Sequence, residues 1–172
     1  METYSENICK LKHEFVKIYK GNSHTTEILP NSTNNFIRIC DTHLSLLHKF
    51  LEVNPIYSKH FLENIVDIDY TIFEGDLNNY WIDSIKHDTS YAPFYPTWML
   101  SAWSLANNAQ NLGFEQIIDI GSGDGRIAYC GKVMGLDSIS IEIDENLVCM
   151  QESLATKTGV NFNPICSDAT IY

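Results

Sequence analysis

The feature that most constrains the fold of this chain is an apolar run that leads directly into closely spaced glycines. Residues 117–120, Ile-Ile-Asp-Ile, predict a buried β-strand, and Gly121, Gly123 and Gly125 follow before a helical stretch from about Arg126 to Met134. A strand, a glycine turn and a helix in this order place bare backbone N–H groups and the positive helix end at the carboxyl edge of a sheet. They predict a site for a nucleotide-like ligand, although an ordinary strand-to-helix turn can use the same glycines.

Strand and helix continue to alternate after this turn. Residues 138–141 predict a second strand, Asp144 can cap a helix from Glu145 to about Lys157, and residues 163–166 predict a third strand. Strands that alternate with helices are typical of a parallel sheet. We therefore predict an α/β fold class with parallel strands for residues 91–172.

The residues before this part have a different character. Residues 1–90 predict a mainly helical N-terminal region, in which the apolar spacing of residues 36–50 marks one side of a helix. We expect further helices near residues 57–66 and 77–85. The segment Tyr91-Ala92-Pro93-Phe94-Tyr95-Pro96-Thr97 contains two prolines that exclude regular helix, and its last residue can cap a helix from Trp98 to Leu112.

Three acidic residues stand where a nucleoside-binding sheet needs carboxylates. Glu142 ends the second strand, where it can accept hydrogen bonds from both ribose hydroxyls, and Asp168 follows the third, where it can accept from an adenine amino group. Asp119 lies in an apolar strand, where a buried acid is costly unless it holds turn amides or a cationic ligand group. As alternatives, Glu142 is a solvent-facing acid or a neighbour of the Asp144 cap, and Asp168 is a polar loop residue.

The run Asp119-Ile120-Gly121-Ser122-Gly123-Asp124-Gly125, with Glu142 and Asp168, resembles the first three cofactor motifs of class I S-adenosylmethionine-dependent methyltransferases. The resemblance covers roughly residues 91–172 and implies the first half of a Rossmann-like methyltransferase sheet, with parallel strands. It implies that the glycine turn passes under the methionine part of the cofactor and that Asp119 helps hold its ammonium end. Glu142 would then hold the ribose, and Asp168 the adenine.

A narrower resemblance is carried by Gly-Ser-Gly-Asp-Gly-Arg at 121–126 together with residues 91–97. These segments resemble the archaeal and mitochondrial protein-lysine methyltransferases, in which a Pro-Tyr/Phe-x-Pro-Thr segment precedes the first motif and closes over the cofactor. Tyr95 and Thr97 would then face the pocket; alternatively, the tyrosine packs and the threonine only caps a helix. The residues that the resemblances assign to S-adenosylmethionine are Tyr95, Thr97, Asp119, Gly121, Ser122, Gly123, Asp124, Gly125, Glu142, Asp168 and Ala169.

The resemblance implies an S-adenosylmethionine-dependent methyltransferase that methylates a protein side chain such as lysine. Two alternatives stay open: a non-catalytic cofactor-binding or interaction module and, third, a nucleotide-dependent oxidoreductase. A dinucleotide-binding loop needs Gly-x-Gly-x-x-Gly, but Arg126 occupies the position of its last glycine. No catalytic residue is assigned, because the acceptor-facing motif of the family follows a later strand.

Charge and composition limit the kinds of substrate, metal site and cellular location that this chain is expected to have. With 11 Lys and Arg against 22 Asp and Glu, the net charge of -11 disfavours nucleic acid as a substrate relative to a cationic protein or a small molecule. The five scattered cysteines suggest neither a disulfide framework nor a metal site. The chain has no run of about 18 apolar residues, which disfavours a membrane span, and its first residues lack the pattern of a secretory signal, which favours the cytoplasm.

The last residue, Tyr172, follows shortly after the third predicted strand. The fold of the family needs further strands, and a third-strand end would leave an open sheet edge. We therefore expect a longer natural polypeptide, or a partner, to complete the sheet.

Overall fold

The computed structural model describes residues 4–78, 80 and 94–172. Within them, five helices and six strands follow one another as α1 Tyr4–Ile18, β1 Thr25–Pro30, α2 Asp41–Val53, β2 Tyr57–Ile65, β3 Ile68–Gly75, α3 Met99–Asn111, β4 Gln116–Ile120, α4 Arg126–Val133, β5 Asp137–Glu142, α5 Glu145–Thr158 and β6 Pro164–Cys166. The strands form an antiparallel sheet in the order β1-β3-β2 and a parallel sheet in the order β4-β5-β6. The predicted α/β class and the three parallel strands are confirmed. None of the helices in the described part combines the length and apolar character needed to cross a membrane.

The parallel sheet has one face covered by helices. An atom added at Gly131 of α4 would meet Ile117 of β4 and Ser138 of β5, and Ser140 of β5 donates a hydrogen bond to Gln151 of α5 at 2.7 Å. When successive parallel strands are added in the same direction across a sheet, as in the order β4-β5-β6, the connecting helices lie on the same face, because such crossovers are right-handed. These residues therefore point towards the helical layer, and their neighbours along each strand point to the opposite face.

Strand β4 is the less covered side of this sheet. Ile118 and Ile120, on the face opposite the helices, are 50% and 65% exposed. Within the described residues β4 pairs only with β5. Its other edge presents unpaired backbone N–H and C=O groups, which a further strand could bond.

The prediction of a mainly helical N-terminal region is wrong in part, because three strands lie between residues 25 and 75. The predicted helix near residues 57–66 is the strand Tyr57–Ile65, which is exposed along most of its length and so shows no apolar alternation. The β2–β3 hairpin turns at Val66 and Asp67, both with positive φ, 52° and 59°. Such turns favour Asn-Gly or Asp-Gly, so a valine there hid the hairpin signal. The helix expected at 77–85 lies mostly outside the described residues.

Helix boundaries agree best where a local capping signal exists. The Asp144 carboxylate accepts hydrogen bonds from the backbone N–H groups of Asn146 and Leu147, and Gly159 ends the helix with φ 77°, as predicted. The prediction that Thr97 caps α3 is wrong, because Trp98 occupies the N-cap and makes no side-chain cap bond. The helix predicted over residues 36–50 begins only at Asp41.

One hydrophobic core joins the two sheets. Phe50 of α2 packs on Tyr129 of α4 with ring centroids 4.6 Å apart, and Tyr129 in turn contacts Phe162 at 5.9 Å. The Tyr129 hydroxyl donates a 2.8 Å hydrogen bond to the Leu46 carbonyl. Because α2 lies between the antiparallel sheet and the α4–α5 layer, the N-terminal region is packed directly against the elements that hold the glycine turn.

Candidate functional site

The carboxyl ends of the three parallel strands meet at one edge. In the parallel register Ile120 is opposite Ile141, and Glu142 is opposite Cys166. The glycine turn, Glu142 and the segment that contains Asp168 therefore leave the same edge of the sheet, where ligands of open α/β sheets bind.

Three left-handed glycines shape the turn. Gly121, Gly123 and Gly125 have φ of 68°, 58° and 77°, a region that residues with a side chain seldom adopt. The N–H groups of Gly121 and Ser122 both donate to the Ile141 carbonyl, at 2.9 and 3.2 Å. The turn is thereby tied to β5 and not only to the strand that leads into it.

Close packing adds a second requirement for glycine. A Cβ at Gly123 would lie 2.6 Å from the Phe94 ring, and one at Gly125 would collide with Phe162. Among the described residues beyond its chain neighbours, none has an atom within 4 Å of a Cβ placed at Gly121. Two of the three glycines are therefore needed for space as well as for backbone conformation.

Glu142 holds the backbone of the turn. One carboxylate oxygen accepts from the Gly123 N–H at 2.8 Å, and the other accepts from the N–H groups of Ile143 and Asp144 at 2.8 and 3.1 Å. The side chain is 7% exposed. A carboxylate offers about four acceptor positions, so these three bonds leave room for a further donor such as a ligand hydroxyl.

Asp119 is a buried acid with incomplete hydrogen bonding. Its Oδ2 is buried without a hydrogen-bond partner among the described residues. Burial, together with the nearby charges of Asp124 and Glu142, raises the pKa of Asp119 to about 6, against the lowering effect of a hydrogen bond from the Ala128 backbone. A cationic group bound beside this carboxyl would satisfy the free oxygen and favour its charged form.

Two residues assigned to the cofactor have side chains engaged elsewhere. Asp124 is 1% exposed and accepts hydrogen bonds from Arg126 Nε and from Asn54 Nδ2, each at 2.9 Å. Its side chain faces the protein interior, so only its backbone can take part in the turn surface. The Ser122 hydroxyl accepts a 2.9 Å hydrogen bond from Gln151 Nε2.

Sequence reasoning missed Gln151, a fully buried residue of α5. Its Nε2 also donates to the Gly123 carbonyl at 2.8 Å, while its Oε1 accepts from the Ser140 hydroxyl. A glutamine in a helix carries no sequence signal for such a role, since only the crossing of α5 over β5 places it under the turn.

Tyr95 and Thr97, the two residues of the proline segment assigned to the cofactor, both lie at the surface. Tyr95 is 69% exposed, and Thr97 is exposed at its side chain while its carbonyl accepts from Arg126 at 2.7 Å. Phe94 instead lies against Gly123, and its ring meets Tyr80 edge-on with centroids 5.7 Å apart. An aromatic side chain that sequence reasoning had not selected therefore covers the turn.

The segment after β6 lies at the surface. Asp168 is exposed, and its Oδ1 accepts from the N–H and the hydroxyl of Thr170 at 2.8 and 2.7 Å, which lowers the pKa of this carboxyl. Ala169 is half-buried beside it. In this position Asp168 has the geometry of a loop acid that closes an Asx turn, and its other oxygen is open to a ligand amino group.

A buried ion cluster joins the turn to the N-terminal sheet. The Arg126 guanidinium pairs with Glu27 of β1 and with Asp124, and it donates to the Tyr57 hydroxyl at 2.8 Å. The second oxygen of Glu27 accepts from the N–H of Met99, the first residue of α3, at 2.8 Å. Burial raises the pKa of Glu27 to about 7, although the guanidinium lowers it.

Metal chemistry finds no support in the part of the chain that the structure describes, where no group of three His, Cys, Asp or Glu could hold an ion. All five cysteines are free thiols, and only Cys130 is buried.

No protein-family model and no curated protein matches this chain.

Proposed function

We propose that this chain binds S-adenosylmethionine at the glycine turn and belongs to a methyltransferase that acts on a protein side chain. The observation that carries the proposal is the buried Asp119 carboxyl, whose Oδ2 has no partner among the described residues, directly before three left-handed glycines. A buried, unsatisfied acid is costly to the fold. A ligand that brings an ammonium group to this edge removes the cost.

The residues present fit the cofactor in several respects. The open backbone at Gly121 can lie against the methionine part, with Asp119 beside the ammonium group. Glu142 has an acceptor position left for a ribose hydroxyl, and Asp168 has an open oxygen for the adenine amino group. Phe94 over Gly123 supplies an apolar cover that can exclude water. Asp124 binds inward and is not part of this fit.

The cofactor supplies a methyl group activated by its sulfonium. The chemistry left to the protein is alignment of donor and acceptor and exclusion of water. In this chain the rigid turn orients the cofactor, and the aromatic cover of Phe94 and Tyr80 shields it.

The open edge of β4 lies beside the glycine turn, where a methyl acceptor or a partner can approach. The exposed Ile118 and Ile120 beside that edge suit burial under further strands or helices. The net charge of -11 favours a cationic acceptor such as a lysine side chain, which must lose its proton before attack.

A non-catalytic cofactor-binding or interaction module is the second candidate. The same uncovered β4 surface favours it, because an exposed apolar sheet face marks an interaction site. A nucleotide-dependent oxidoreductase is the weakest candidate, since Arg126 replaces the third glycine of a dinucleotide loop and its side chain is enclosed in the ion cluster.

Calorimetric titration tests the binding step. S-adenosylmethionine, its demethylated product and NADH are titrated into the parent chain, Asp119→Asn and Asp137→Asn. The control removes an acid from the amino end of β5, at the opposite edge of the same sheet. We expect the parent and Asp137→Asn to bind the first two ligands and Asp119→Asn to bind neither.

Absence of binding to the parent, or preferential binding of NADH, overturns the proposal. Equal binding by Asp119→Asn overturns the role of this carboxyl. Transfer of a labelled methyl group from S-adenosylmethionine to a lysine-rich protein separates the enzyme from a non-catalytic module.

A further inference from the structure

The ion cluster links the cofactor turn to a strand of the other sheet. Glu27 lies in the middle of β1, and 99 residues separate it from Arg126. Glu27, Asp124 and Arg126 are only 1%, 1% and 2% exposed. A fully buried cluster of charged groups between two sheets restrains their relative position, because its hydrogen bonds are lost if either sheet shifts.

Every N–H group of the Arg126 guanidinium has a partner. Nε donates to Asp124 at 2.9 Å, and Nη2 donates to Asp124 at 2.5 Å and to the Tyr57 hydroxyl. Nη1 donates to Glu27 and, at 2.7 Å, to the Thr97 carbonyl. The planar guanidinium is thereby fixed in one orientation, since rotation would break several bonds together.

Both walls of the proposed site are attached to this one group. Asp124 belongs to the glycine turn, and the Thr97 carbonyl belongs to the segment whose Phe94 ring covers Gly123. Glu27 holds the guanidinium from the opposite side and also fixes the first residue of α3 through its second oxygen. The packing of the Phe94 cover on the glycine turn thus depends on a carboxylate of the N-terminal sheet.

We propose that Glu27 is a positioning residue for the cofactor turn: through Arg126 it holds Asp124 of the turn and the Thr97 carbonyl in the relative positions that the proposed S-adenosylmethionine site requires. The proposal rests on the cofactor site proposed above. Glu27 itself is enclosed and touches no ligand, so its effect on binding is indirect.

The test compares Glu27→Gln, Glu27→Leu and Ile28→Val in the full chain. Glutamine keeps one acceptor oxygen, which can serve Arg126 or the Met99 N–H but not both from their present positions, whereas leucine keeps none. The control residue is the next in β1 and fully buried, but it lies outside the ion cluster. Circular dichroism first establishes a temperature at which all the proteins are folded.

Two readouts are then taken: the affinity for S-adenosylmethionine and the hydrogen exchange of backbone amides in residues 119–126, relative to those in α1. We expect Glu27→Leu to bind about ten-fold or more weakly, within the usual range of coupling between linked sites. Its turn amides should exchange faster while α1 amides do not. Glu27→Gln, which keeps one of the two acceptors, should lie between Glu27→Leu and the parent in both properties, and Ile28→Val should match the parent.

Folded Glu27→Leu with unchanged affinity and unchanged turn exchange overturns the proposal. So does faster exchange in α1 and the turn alike, which indicates general loosening. If the parent itself does not bind the cofactor, the proposed function fails, while the exchange of the turn amides still decides whether Glu27 positions the turn.

Discussion

Replacing Asp119 by asparagine is expected to stabilise the ligand-free protein at neutral and alkaline pH. Burial and the charges of Asp124 and Glu142 raise the pKa of this carboxyl from its usual 3.8 to about 6. One pKa unit corresponds to about 1.4 kcal/mol, so the folded protein spends about 3 kcal/mol to keep the carboxylate charged above that pH. An asparagine oxygen can keep the Ala128 hydrogen bond without the charge. We expect the variant to gain about 1 to 3 kcal/mol, because burying the amide has its own cost.

The sign of the pH dependence follows from the raised pKa. Between pH 3.8 and about 6 the folded protein holds the Asp119 proton and the unfolded chain does not. This stabilisation is present at low pH and is lost as the pH rises through that window. The gain in free energy of unfolding from Asp119→Asn should therefore be small near pH 3.8. It should grow with pH up to about 6 and stay constant at higher pH. Urea denaturation, followed by circular dichroism at about pH 5 and about pH 8, gives both free energies of unfolding.

An Asp119→Asn protein that is less stable than the parent at about pH 8, or that differs by an amount independent of pH, refutes this reasoning. Titration of Glu27, whose pKa is also raised, occurs in both proteins and cancels in the difference. Saturating S-adenosylmethionine should reduce or reverse the stability difference between Asp119→Asn and the parent. A ligand at about 100 times its dissociation constant adds about 2.7 kcal/mol to the free energy of unfolding of the protein that binds it.

Three further substitutions test the turn and its supports by urea denaturation. Gly125→Ala should cost about 2 to 4 kcal/mol, since positive φ and a clash with Phe162 combine. The control Gly159→Ala, with similar φ and open space, should cost only about 1 kcal/mol. Equal losses in the two variants would contradict the packing argument. Gln151→Leu should cost about 2 to 3 kcal/mol by leaving buried groups of the turn and β5 without a partner, and a neutral result would remove its assigned support of the turn. Asp144→Ala should cost about 1 kcal/mol through loss of the α5 cap, and a stability equal to that of the parent would contradict the cap.

Local patterns predicted the part of the chain from residue 116 onward. The strands, helices and ends of β4, α4, β5 and α5 agree with their sequence signals to within a residue or two. Each signal is short-range: an apolar run bounded by glycines, an aspartate at an N-cap, a glycine with positive φ at a C-cap. The glycine turn was identifiable because glycine adopts the left-handed backbone that three of its positions require far more readily than other residues do.

The N-terminal sheet lacked such signals. β2 is exposed on both faces over most of its length, and its hairpin turns on Val66 and Asp67, so neither alternation nor turn chemistry identified it. The pairing of β3 with β1, unlike the β2–β3 hairpin, is a long-range contact that no local pattern encodes.

The sequence by itself determined the strand–glycine–helix unit and the acids at its edge, because those depend on neighbouring residues. Only the tertiary structure decided how each side chain is used: Asp124 turns inward to Arg126, Phe94 rather than Tyr95 covers the turn, and Glu27 reaches the site from the other sheet. The physical reason is that a buried charge takes whichever partner the packing of distant elements brings within bonding distance, and spacing along the chain does not specify that partner.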